Sequence, residues 1–61
     1  MIKLVIVDDE VSLRRTLRLT LESMKHQVAE AATGSTALHL VSKEDYDLIL
    51  VDLKLGRESG L

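Results

Sequence analysis

Sixty-one residues allow one small domain, and a chain this short buries only about 60% of the surface that its unfolded form exposes. The absence of cysteine excludes disulfides and thiolate metal sites, and 46% apolar with 30% charged residues excludes a disordered chain. A net charge of −2 without a basic tract speaks against direct nucleic-acid contact, and no run approaches the ~20 apolar residues of a membrane span.

The opening "MIKLVIV" is too short for a secretion signal and runs straight into Asp8, Asp9 and Glu10, so a cytoplasmic location is expected. "KLVIV", Lys3 to Val7, is β-branched and apolar on both faces, the pattern of a buried parallel strand. From Val11 the period changes. Leu13, Leu17, Leu21 and Met24 fall on one helical stripe, with Arg14, Arg15, Arg18 and Glu22 off it. Ser12 or Asp9 is the expected cap, and the helix is expected to end near Lys25–His26. The arginines read as a solvated face balanced by nearby acids.

"QVAEAA", Gln27 to Ala32, reads as a short edge strand, because it carries Glu30 among small residues. "TGST", residues 33–36, reads as a loop with capping residues, and Ala37, Leu38 and Val41 mark a second helix ending near Lys43–Asp45. "DLILVDL", Asp47 to Leu53, is a third strand, again apolar on both faces, and "KLGRESGL" is loop. The order is β-α-β-α-β. Helices this short are crossovers, which implies a parallel sheet with right-handed connections.

Asp8 and Asp9 directly follow the first strand, and Asp52 ends the third. If those strands are parallel neighbours, their ends lie about 4.8 Å apart and the carboxylates crowd one corner of the sheet. Like charges in that position cost free energy, which a hard divalent cation with oxygen ligands relieves. Acids after strands are also common as loop residues or helix caps, but that reading does not account for acids after both apolar strands. His26 and His39 read as surface residues, and Ser59 and Thr33 as loop and cap.

"KLVIVDDE", "RRTLRLTLESM", "AATGSTAL" and "DYDLILVDLKL…SGL" resemble the receiver domain of two-component response regulators. The resemblance implies a flavodoxin-like α/β fold with parallel strand order 2-1-3 and a helix on each face. It implies a phosphoacceptor role for Asp52, with a histidine kinase or a small phosphodonor as partner and Mg²⁺ as cofactor. Asp9 matches the direct metal ligand, and Asp8 the acid that holds the metal mainly through water. Asp52 completes the set with the backbone carbonyl of Lys54. Domains of this kind accept a phosphoryl group rather than turn over a substrate as enzymes do.

The match departs from the family at Leu55-Gly56, where Met-Pro is usual, and at Lys25, where the first helix often ends on Gly. It spans residues 1–61 as the first half of a receiver, a truncated domain. The missing second half would carry a Ser or Thr and a Lys that grip the phosphoryl group. On that expectation the third strand is an exposed apolar edge, and the chain does not persist as a compact monomer: either it is a fragment of a longer regulator, or two copies pair through the third strand. The alternative function is then a self-associating half-receiver that keeps the acids without completing phosphotransfer. "VDDE" also suggests a haloacid-dehalogenase-type nucleophile, but the second Asp of Asp-x-Asp is absent and Asp52 is left without a role.

Overall fold

A computed structural model of the chain describes residues 1–52. The elements are β1 (Lys3–Val7), α1 (Val11–Ser23), β2 (Gln27–Ala31), α2 (Gly34–Lys43) and β3 (Leu48–Val51). The strands form one parallel sheet in the order β2-β1-β3, as the resemblance implies. Leu53 and the "KLGRESGL" loop lie outside the described residues.

β1 is central because it can be buried on both faces. Leu4, Val5 and Ile6 are no more than 1% exposed, and each such side chain contributes about 1.5–3 kcal/mol through burial. Val5 and Val7 point to one face, where Ala31 and Ala37 complete a core flanked by Leu40, Val41 and Tyr46. Leu4 and Ile6 point to the other face, since successive strand residues alternate. Ile6 is paired with Glu30 of β2, and Glu30 meets α1, so α1 covers that face.

Three local expectations are corrected. The cap of α1 is Glu10, whose side chain accepts from the Leu13 amide, rather than Ser12 or Asp9. The side of α1 turned toward the sheet carries half-buried Arg14, Leu17, Arg18 and Leu21, while Leu13 and Met24 are exposed. The helix is rotated by about one residue from its apolar stripe because Glu30 on the sheet below takes both arginines as partners. α2 begins at Gly34, inside the expected loop, because the Thr33 hydroxyl accepts from the Thr36 amide and caps it there. Leu38 is largely exposed, and Leu40 packs inward.

The end of α1 explains Lys25. The His26 amide donates to the Leu21 carbonyl and the Lys25 amide to that of Glu22, the paired bonds of a Schellman cap. That cap needs a left-handed residue after the helix, and Lys25 supplies it at φ 75°. A residue with a Cβ is strained there by ~1–2 kcal/mol, which Gly avoids at some cost in unfolded-state entropy. Lys25→Gly is therefore expected to stabilise the fold by about 0.5–1 kcal/mol, read as a higher urea midpoint; a lower midpoint contradicts this account of the cap.

Candidate functional site

The candidate site lies at the C-terminal end of the sheet, built by register before side chains enter. β1 and β3 run side by side with Val7 opposite Val51, so Asp8 and Asp52 are the next residues of two paired strands. The Asp52 amide donates to the Val7 carbonyl at 2.9 Å, which continues the ladder to the edge of the site. Asp52 is half-buried and Asp9 exposed.

Asp8 is held on several sides. Its amide donates to the Ala31 carbonyl at 3.0 Å, and its Oδ1 accepts from the Glu10 amide at 2.9 Å. Its backbone carbonyl accepts from Arg14 Nη1 at 2.7 Å. The residue is 1% exposed, yet Oδ2 is buried and accepts no hydrogen bond. A buried carboxylate oxygen left unsatisfied costs about 1–3 kcal/mol or more, so it calls for a partner of positive character. That unsatisfied oxygen, on the residue that follows β1 as Asp52 follows β3, is compatible with a hard cation such as Mg²⁺, which takes oxygen ligands only. Among the described residues no group of three or more His, Asp or Glu side chains stands close enough to hold a metal ion. Lys54, expected to lend its carbonyl, lies outside the described residues.

The expected solvated arginine face is corrected here. Arg14 Nε donates to Glu30 Oε1 at 2.7 Å, and Arg18 forms an ion pair with Glu30 Oε2. These side chains are mostly shielded, at 12–29% exposure for the arginines and 20% for Glu30. The hydrogen bond from Arg14 and the charge of Arg18 hold the Glu30 carboxyl below its ordinary value of 4.5, against the opposing effect of burial. Reading the sequence for acids alone misses this triad. Its signal is an acid inside an otherwise small-residue strand, opposite two arginines spaced i, i+4 on the preceding helix. The histidines do not join the site. His26 is half-buried and accepts from the Ile2 amide at 3.2 Å, and His39 is exposed on α2.

The chain matches the response regulator receiver domain family over residues 4–61. It is 37% identical over 59 residues to the alginate biosynthesis transcriptional regulatory protein AlgB of Pseudomonas aeruginosa, covering 97% of this chain and 13% of AlgB. It is 39% identical over 59 residues to the transcriptional regulatory protein ResD of Bacillus subtilis, covering 97% of this chain and 25% of ResD. The transcriptional regulatory protein SrrA of Staphylococcus aureus is 37% identical over 59 residues, covering 97% of this chain and 24% of SrrA. The chain thus spans between 13% and 25% of the length of these relatives. No solved structure is a significant match.

The lowered value of Glu30 fixes the sign of a pH effect. Between the folded and unfolded values the unfolded chain binds more protons, so the stabilisation is complete above 4.5 and fades as pH falls through the folded value. Glu30→Gln is expected to destabilise by about 1–3 kcal/mol at neutral pH, because two shielded arginines lose their partner. It is also expected to flatten the loss of stability below pH 4.5, read from urea midpoints at successive pH values. An acid profile unchanged by Glu30→Gln would rule this out.

Proposed function

Because the chain belongs to the response regulator receiver domain family, we propose that Asp52 is its phosphoacceptor, with residues 1–61 acting as a receiver segment in the cytoplasm. The observation that supports this reading is the register of Val7 with Val51, which makes Asp52 and the buried Asp8 the next residues of two paired strands. Asp8, Asp9, Asp52 and the backbone carbonyl of Lys54 are the groups that would hold Mg²⁺. When bound, the ion neutralises phosphoryl oxygens that would otherwise repel an attacking carboxylate.

The residues themselves do the remaining work. The ladder bond from the Asp52 amide to Val7 anchors the backbone from which the nucleophile projects. One Asp52 oxygen forms a bond to phosphorus while the bond from phosphorus to the donor breaks. The donor is a histidine kinase's phosphohistidine, with nitrogen as the leaving atom, or a small acyl phosphate, with oxygen as the leaving atom. The electron pair leaves with that atom, and Asp52 is left as an acyl phosphate. Asp52 is consumed as acceptor in this step, so the domain is a substrate of the transfer rather than a turnover enzyme. AlgB, ResD and SrrA are each named as transcriptional regulatory proteins, which supports transcription as the process that phosphorylation governs.

Pairing with a second copy is a separate proposal, independent of the phosphoacceptor role. Leu48, Ile49, Leu50 and Val51 are 39–51% exposed, and among the described residues β3 is paired on one side only. An apolar groove between α2 and β3, lined by Val7, Ala37, Leu38, Val41, Ile49 and Val51, extends that surface. An edge that is apolar on both faces is a template for another strand.

Incubation with acetyl phosphate and Mg²⁺, followed by intact mass, is expected to add one phosphoryl group that Asp52→Asn abolishes. No gain under conditions that label an intact receiver, or a gain that survives Asp52→Asn, sinks the phosphoacceptor role. For the pairing, size-exclusion chromatography with light scattering is expected to give twice the chain mass, reduced to a single chain by Leu50→Lys. A monomeric parent chain removes the self-association proposal and leaves the phosphoacceptor proposal standing.

A further inference from the structure

Arg14 makes a contact that the proposed chemistry does not use. It stands on the first turns of α1, and its side chain is only 12% exposed. Nε donates to Glu30 Oε1 at 2.7 Å, and Nη1 donates to the Asp8 carbonyl at 2.7 Å. The guanidinium is a rigid planar fork, so once Nε is engaged the direction of Nη1 is set. Glu30 is itself fixed, because it sits in the β2 ladder opposite Ile6 and its other oxygen is taken by Arg18.

The carbonyl that Arg14 grips belongs to the Asp8–Asp9 peptide. That unit is planar, so holding its oxygen restrains ψ of Asp8 and φ of Asp9 together. Those two dihedrals set the relative placement of the Cβ atoms from which both carboxylates project. Arg14 also has its charge met by Glu30, so it serves as a hydrogen-bond donor at this corner rather than as a competing counter-ion for the acids.

We propose that Arg14 is a positioning residue for the acidic site, pinning the Asp8–Asp9 peptide so that both carboxylates face the cation position. The proposal rests on the reading of Asp8 and Asp9 as cation-holding acids. Groups that orient metal-holding residues typically change metal affinity by ~10–100-fold when removed. Arg18 is the natural control. It shares Glu30 with Arg14 and stands on the same helix, while the bond to the Asp8 carbonyl comes from Arg14.

The test uses the 61-residue chain and four forms of it: the parent, Arg14→Ala, Arg14→Lys and Arg18→Ala. Backbone amide hydrogen exchange at Asp9 and Glu10 is followed by NMR, and Mg²⁺ is titrated against the same amide signals. Arg14→Ala is expected to speed exchange at those amides and to raise the Mg²⁺ dissociation constant by about 10-fold. Arg14→Lys is expected to keep the pairing with Glu30 and most of the stability, yet to show the same two losses, because one ammonium cannot serve both Glu30 and the carbonyl. Arg18→Ala is expected to leave both readouts within about 2-fold of the parent, well short of the loss typical of an orienting group.

Equal effects from Arg14→Ala and Arg18→Ala would assign both arginines to support of Glu30 and overturn the proposal. So would parent-like exchange and affinity in Arg14→Lys, which decides the matter should Arg14→Ala fail to fold. If the parent chain gives no Mg²⁺-dependent signal, the phosphoacceptor reading falls. Faster exchange confined to the Arg14 variants would still support the pin.

Discussion

Every other element of this small fold is placed by the burial of β1. Its two edges carry the ladders to β2 and β3, and its two faces take α1 and α2. Leu4, Val5 and Ile6 are almost wholly removed from water, whereas α1 has no fully buried residue and α2 has only Ala37. The apolar driving force is thus concentrated in one five-residue strand, and the helices contribute half-covered flanks. A consequence for the site is that Asp8 follows the most buried segment of the chain. The acid is carried into the sheet's corner by its strand and cannot retreat to solvent, although one of its oxygens lacks a hydrogen bond.

Charge is arranged around that constraint. On the face covered by α1, Glu30 interrupts an otherwise apolar sheet, and Arg14 and Arg18 turn inward to meet it. The helix gives up burial of Leu13 and Met24 to do so. An isolated shielded carboxylate costs several kcal/mol, against about 1.5–3 kcal/mol for half-exposing two apolar side chains, so the magnitudes favour the rotation of α1. At the opposite end of the sheet, Lys3 pairs with Glu44, lies 5.0 Å from the centroid of the Tyr46 ring, and exchanges hydrogen bonds with Asp47. This second polar cluster fastens the entry to β3. The two ends of the sheet therefore differ: one is closed by matched pairs, and at the other Asp8 and Asp52 follow two paired strands.

Much of this was legible in the residues. The five elements and their order follow from the β-branched runs at Lys3–Val7 and residues 48–51 and from the change of period at Val11. Asp8 and Asp52 could be placed together because each ends an apolar strand, and the parallel pairing of β1 with β3 bears that out. The caps were harder. Asp9, Glu10 and Ser12 can each cap α1 by residue type, and the local backbone geometry selects Glu10. The start of α2 is hidden in the same way: Gly34, Ser35 and Thr36 favour turns on their own, and the Thr33 cap draws them into the helix.

The sequence by itself determined which segments are strands and helices and where the acids fall relative to them, since periodicity and strand ends are properties of neighbouring residues. It also pointed to Lys25 as an unusual helix end, which the positive φ makes concrete. Only the tertiary structure decided which way α1 faces, because that depends on Glu30, sixteen residues beyond Arg14 and on another element. It likewise decided that Asp8 is buried while Asp9 is exposed. Two adjacent acids are alike in sequence, and they become different groups once one of them must follow a buried strand and the other turns away from it.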